Sequence, residues 1–389
     1  MDDSPIVNYA KVDSVFNEDN PIIIVLFPNY EDRTKGVINS LKKTGNIDRQ
    51  QNVKYVLFCL KNRANNNMLL EDLKEQNISA IKTTLADANI VEYWLEYPSN
   101  FSPNSLKSPL QALLEEAKND NNAKNANIMF DISTTPKSVL FQLCESIKEF
   151  FQKDLVGRVY FSYCLPSIYS EVPYAQDIGF LKGLFSGEAL SFSRDQAIHT
   201  IIFPSRSGHE GKLLCDTLDS VSTYTDYTVY FPVFKDSFTD SLNIMQANQT
   251  LIDRDSYLNC YYCTLDDAVK SLDELFRKEY KRVKQIIGMR SDQDEKKRTL
   301  PVRQQVYLVA PFGSKVFLPV AYFELLKLRS INPEMIRVEI ANVKGFQYTS
   351  SYSLGGDGGV DGTERIALTC FEINREEIKS VIDLSSQNL

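Results

Sequence analysis

The chain repeats its own plan, and that constrains its fold more than any single motif does. One apolar run ends in Phe27-Pro28 and another in Phe203-Pro204, 176 residues later. Each is followed by a second apolar run, 53–60 in the first half and 227–234 in the second. Each half then has a third run that leads straight into a short turn carrying a lysine: NIMFDISTTPKSVL at 127–140 and VYLVAPFGSKVFL at 306–318. Lys137 and Lys315 are 178 residues apart, so the interval holds along the repeat. Internal repetition fixes architecture before local propensities are weighed. Uniformly apolar runs separated by helical patterns point to mainly parallel sheets covered on both faces. The fold expected is therefore α/β, with two tandem Rossmann-like halves, each a mainly parallel sheet flanked by helices. The halves are expected at 1–190 and 191–389, with the boundary near 186–195.

Within the first half, strands are expected at 21–27, 53–60, 127–130 and 157–163, with a short one near 78–83. Helices are expected at 34–43, 67–76, 105–118 and 138–151, because apolar residues recur there at helical spacing. The second half reads in the same order. Strands fall at 197–203, 227–234, 306–310, 336–340 and 366–371, and helices at 211–221, 236–248 and 265–287. The run 290–299 reads as a solvated connection, and the glycines at 355–362 as a loop.

Composition narrows the function classes. No stretch approaches the ~18 apolar residues of a membrane span, so no membrane partner is expected. The acidic start MDDSPIVNYA lacks a basic-then-apolar export signal, which predicts a cytoplasmic protein. A net charge of −8 argues against an extended nucleic-acid surface, which needs many phosphate-neutralising cations. The seven cysteines are scattered, and several sit in apolar patterns where a thiol acts as a small hydrophobe. Cys260 and Cys263 have metal or redox spacing but stand alone, and the chain has only two histidines, His199 and His209. No metal site and no cofactor are read from the sequence.

The two lysine turns are the candidate sites. Ligands of open α/β sheets bind beyond the carboxyl ends of the strands, where the following helix offers free N–H groups and a favourable dipole. In the first turn Asp131 ends the strand, Ser133 and Thr134 supply hydroxyls, Pro136 suits a first helical position, and Lys137 follows. In the second, Gly313 allows close backbone approach, with Ser314 and Lys315 beside it. The turns after the first strands, PNYEDR at 28–33 and PSRSGHEG at 204–211, add Arg206 as a further anion-binding candidate. Neither lysine turn has the GxxxxGK[ST] pattern of a triphosphate cradle. No catalytic residue is assigned.

The segment from Asp131 to Lys137 resembles the Asp-x-Thr-x-Gly-x-Lys turn of the CARF family, the Rossmann-like sensor domains of prokaryotic antiviral systems. Two fused CARF-like halves are similar to the SAVED domains of cyclic-oligonucleotide-activated defence. The resemblance implies recognition of an anionic nucleotide or cyclic oligonucleotide at the carboxyl ends of the strands. Asp131, Ser133 and Lys137 would be the acidic, hydroxyl and basic members, and Ser314 and Lys315 a reduced second copy. Thr135 stands where the family has its glycine, and the second copy lacks the aspartate. Such a sensor needs an effector or complex-partner protein, since the two halves account for nearly the whole chain. Two rival readings stay open: a nucleotide-processing phosphodiesterase or hydrolase of the same fold, and a non-catalytic scaffold subunit of a defence complex.

Overall fold

The computed structural model describes residues 6–10, 15–16, 20–44, 52–62, 68–86, 88–97, 102–120, 124–164, 168–169, 180–221, 224–234, 238–253, 258–291, 304–344, 353–354 and 368–380. The loop expected at 355–362 and all but the first two residues of the connection expected at 290–299 lie outside them; Arg290 and Ser291 are instead the last residues of a helix.

The first stretch of chain gives β1 (Val7–Tyr9), β2 (Ile22–Leu26), a 3-10 turn (Asp32–Lys35), α1 (Gly36–Lys43), β3 (Val53–Asn62) and α2 (Met68–Thr84). It continues with β4 (Asn89–Tyr97), α3 (Pro103–Asp120), β5 (Ala126–Asp131), α4 (Lys137–Gln152), β6 (Val156–Cys164) and β7 (Ile168–Tyr169). The second stretch gives β8 (Phe180–Gly183), β9 (Ala197–Phe203), α5 (His209–Asp219), β10 (Thr225–Pro232), α6 (Phe238–Ala247), α7 (Gln249–Ile252) and β11 (Leu258–Cys263). After these come α8 (Leu265–Ser291), β12 (Gln305–Pro311), α9 (Phe317–Ile331) and β13 (Ile336–Lys344), and the chain then returns through β14 (Ser353–Leu354) and β15 (Leu368–Ile373).

The first sheet has the order β1-β15-β6-β5-β2-β3-β4 and the second β11-β10-β9-β12-β13-β8. Five strands of each are parallel, β6-β5-β2-β3-β4 in one and β13-β12-β9-β10-β11 in the other. Both are Rossmann-like, and they match strand for strand. The central strand β2 is apolar and buried throughout, and β9 is buried on both faces from Thr200 to Phe203. Ile22, Ile24 and Leu26 pack with Val37, Ile38, Leu41, Ile78 and Ile81 of α1 and α2. Ile198 and Ile202 pack with Leu214 and Leu218 of α5 and Ile244 of α6. The repeat extends to side chains. Phe27, Phe58 and Tyr93 stack across three strands at 5.6 and 5.3 Å, and Phe203, Tyr230 and Tyr261 do the same at 5.1 and 5.2 Å. Among the described residues no helix is long and apolar enough to cross a membrane.

Two compact units result: Val7–Val172 with Tyr348–Lys379, and Met1–Ile6 with Pro173–Gln347 and Ser380–Leu389. Two strands therefore lie on the far side of residue 190 from the sheets they join. β8, which follows β6 in the chain, pairs antiparallel with β13, while β15, which follows β13, pairs antiparallel with β6. Strand patterns mark burial but not partners, so this exchange leaves no local trace in the sequence.

One expected element is corrected. Residues 78–83 form no strand; they continue α2, whose buried positions Leu70, Lys74, Asn77, Ile78 and Ile81 follow a helical stripe that ends in Leu85. The third strand of the first sheet is instead β4.

Candidate functional site: two switch-point crevices

In each five-stranded core the chain starts at a central strand, builds outward on one side, then crosses back to build on the other. The reversal falls between β2 and β5 in the first sheet and between β9 and β12 in the second. Loops leaving such a pair of strands diverge, and their crevice is where open α/β sheets bind ligands. The two lysine turns and the two Phe-Pro turns all meet at these places.

In the first crevice, Thr134 Oγ1 donates to the Phe27 carbonyl at 2.7 Å and lies 3.5 Å from Thr34 Oγ1, so the two loops are pinned together. Asp131 is buried at the end of β5; its Oδ1 accepts the Ser133 N–H at 3.0 Å and also the Ser133 hydroxyl. Ser133 Oγ in turn accepts the Cys164 N–H at 2.9 Å, and Thr135 Oγ1 donates to the Asp131 carbonyl at 3.2 Å. Opposite, Arg33 is buried, its Nε 2.7 Å from Glu31 Oε2 and a terminal nitrogen 3.1 Å from the Tyr163 hydroxyl. Asn77 holds this turn from α2 by donating to the carbonyls of Asn29 at 2.8 Å and Glu31 at 3.3 Å. Lys137 is the first residue of α4 and is half-buried.

The second crevice is closed by an equivalent bond made differently: the Gly313 N–H donates to the Phe203 carbonyl at 2.8 Å. A Cβ at 313 would stand 2.6 Å from the Pro204 oxygen, so the close approach requires glycine. The turn after β9 is ordered by Glu210, which accepts the hydroxyls of both Ser205 and Ser207. Asn248 donates to the Ser205 carbonyl at 2.7 Å. Gly208 has φ +70°, and a Cβ there would meet the Ala247 oxygen at 1.8 Å. Arg206 pairs with Asp240 of α6. Ser314 and Lys315 are half-buried at the approach to α9, and Ser314 Oγ faces the Val316 N–H at 3.5 Å.

The structure thus brings Asp131, Ser133, Thr134 and Lys137 into one crevice and Arg206, Gly313, Ser314 and Lys315 into the other. The hydroxyl hydrogens of Ser133 and Thr134 are committed to Asp131 and Phe27, which makes these residues builders of the turn. The cations at these turns are Arg33 with Lys137 and Arg206 with Lys315. Arg33 is buried against Glu31 and Arg206 is paired with Asp240, while the two lysines are half-buried at the start of α4 and the approach to α9. The supporting partners Asn77, Asp240 and Asn248 escaped the sequence reading, since each is distant in the chain. Glu31 and Glu210 lie inside the turns it singled out, but their bracing bonds to Arg33, Ser205 and Ser207 were not foreseen. An arginine soon after each Phe-Pro was the available signal for Arg33.

The remaining candidates lie elsewhere or apart. His209 is exposed at the first position of α5. His199 is near the amino end of β9, with Nδ1 2.8 Å from Asp226 Oδ2 and Nε2 2.9 Å from Gln305 Oε1. Burial opposes its charged form, yet the Asp226 hydrogen bond and charge leave its pKa above the ordinary histidine value. Cys260 and Cys263 lie on β11 at an odd spacing, so their side chains point to opposite faces of the sheet. Burial raises both thiols, Cys263 to about 11 with help from Asp267. All seven cysteines are free.

No family model and no curated protein matches the chain. Among solved structures, the crystal structure of the cytoplasmic domain of a prokaryotic cation chloride cotransporter aligns at 12% identity over 83% of this chain and 95% of that one, with a TM-score of 0.20. A score that low carries no argument. The chain's own geometry defines its class: a tandem Rossmann-like α/β protein with one switch-point crevice in each sheet.

Proposed function

We propose that the protein binds a phosphate-bearing nucleotide, of the cyclic-oligonucleotide type that the turn at Asp131–Lys137 suggests, and acts as a cytoplasmic sensor in antiviral defence that signals through a partner protein. The observation that carries this reading is the repeated placement of a lysine in the turn that enters a helix at the switch point of each sheet. There the helix dipole and a charge-assisted contact favour an anion. Binding is favoured over hydrolysis by the state of the hydroxyls. An attacking oxygen needs a base within hydrogen-bond reach and freedom to leave its ground-state partners. Ser133 has a base in reach in Asp131, but its oxygen is also held by the Cys164 N–H, and Thr134 is bonded to the Phe27 carbonyl, so both hydroxyls are fixed in bonds that hold the turn.

The test is calorimetry with cyclic di-, tri- and tetranucleotides, NAD and ATP. The wild type is compared with Lys137→Ala, Lys315→Ala and the double variant, with melting curves as a folding control. Loss of one charge-assisted contact costs about 1.5–3 kcal/mol, roughly ten- to a hundredfold in Kd. Unchanged affinity in a folded double variant would move the ligand elsewhere, and turnover of any compound that depends on either lysine would replace the sensor by an enzyme.

A further inference from the structure

We propose that β11 and the adjoining flank of α6 form a self-association surface that joins two copies of this chain. The two sheets treat their outer strands differently. In the first, β4 carries Glu92 and Glu96; Glu92 pairs with Lys82 at 2.6 Å, and Lys61 lies 5.0 Å from the centre of the Trp94 ring. Charged side chains along an outer strand deter pairing with another chain. In the second sheet β11 holds the same place, and its sequence, LNCYYC, contains no charge. Among the described residues it has a strand neighbour on one side only.

Among the described residues, four of the seven exposed large apolar side chains lie at this edge; Trp94 on β4, Phe180 and Tyr224 lie elsewhere. Tyr261 and Tyr262 are 45% and 52% exposed, and Phe238 and Leu242 of α6 are 68% and 40% exposed. Tyr262 stacks on Phe231 at 5.5 Å, and Phe231 shares the core under α6 with Ile244. Asp240 fixes the rotation of α6 by reaching Arg206 in the turn after β9. Phe238 and Leu242 are each two residues from Asp240, about 200° round the helix, so they face away from β9 and toward β11. The two α6 residues and Tyr262 therefore share one side of the sheet at its uncharged edge.

A second copy is the occupant these features fit. An uncharged strand can lie antiparallel to itself without placing like charges opposite one another. Such a pairing is two-fold and closes, so it ends at a dimer. An aromatic side chain offers ~200 Å². At about half exposure the four side chains give roughly 400 Å² per copy, and with the strand backbone about 1,000 Å² over both, the size at which specific interfaces begin.

Sedimentation velocity of the full chain from low micromolar to ~100 µM should show a monomer–dimer equilibrium, in the affinity range of modest interfaces. Tyr262→Lys and Leu242→Lys each alter an exposed side chain, so both should fold with the wild-type melting curve and weaken the dimer about tenfold or more. Hydrogen exchange of the β11 amides should slow as protein concentration rises. A wild type that stays monomeric throughout overturns the proposal, as does a dimer that both folded variants leave unchanged. Nucleotide affinity of the variants is expected to match the wild type, so this result stands or falls apart from the ligand proposal.

Discussion

Thr134 shows how one residue type serves either of two ends. A hydroxyl at the end of a parallel strand reads from sequence as a ligand group, and here it spans the crevice to the Phe27 carbonyl instead. Thr134→Val keeps the shape and removes the donor, which leaves a buried carbonyl unpaired. The expected cost is about 1–3 kcal/mol in denaturant unfolding. Ligand affinity should fall less than in Lys137→Ala. Glu324 of α9 allows a second prediction. Burial raises its pKa well above 4.5, and a hydrogen bond to Asp273 of α8 adds to the effect. A carboxyl raised in the folded state contributes stability that is complete below its unfolded pKa and is lost as pH rises from 4.5 toward the folded value. Glu324→Gln removes that loss and can still donate to Asp273. Melting curves should coincide near pH 4 and separate in favour of the variant as pH rises to 8. Equal separation at both values would show that Glu324 does not carry the linkage.

At the scale of elements, the turn before α5 is the tightest constraint. Gly208→Ala must adopt a left-handed backbone and also push back the Ala247 oxygen. Left-handed strain alone costs about 1–2 kcal/mol, so the total should exceed ~2 kcal/mol and loosen the Arg206–Asp240 pair. Urea melts and exchange rates in α5 and α6 are the measurements. The central elements were legible in the sequence because β2, β5, β9 and β12 each carry a run of consecutive apolar residues buried on both faces. The outer strands β4 and β11 were not. β4 has no buried position, being half-exposed throughout apart from the exposed Asn89 and Trp94, and β11 mixes asparagine and cysteine with two tyrosines, so neither shows a strand period against a core. α2 was cut short at 76 because Ile78 and Ile81 invite a strand reading, whereas Leu70, Lys74 and Asn77 before them fix the helical stripe. The site divides the same way. Its lysines and Gly313 are visible as motifs, while Asn77, Asp240 and Asn248, which brace the turns, are brought in from distant parts of the chain.

For the whole molecule, the exchange of outer strands decides how the chain can be cut. Excising residues 368–373 deletes β15 and leaves the β6 edge of the first sheet open, although the loss is near the far end of the sequence and spares the 380–389 segment of the second unit. Such a deletion should destabilise the unit built on Val7–Val172, giving aggregation or rapid exchange in β5 and β6, while β9, β12 and β13 keep their protection. The reverse pattern, or no change, would contradict the pairing. The same exchange inverts the order in which a ribosome can complete the two sheets. All strands of the second sheet have emerged once β13 is made, because β8 precedes it. The first sheet, begun earlier, must wait from β6 to β15, and at roughly 5–20 residues per second that is about 10–40 s with one edge open. The lobe whose parallel strands are synthesised first is thus the lobe that finishes last, and its nascent edge is where a chaperone, or a neighbouring nascent chain, has time to act.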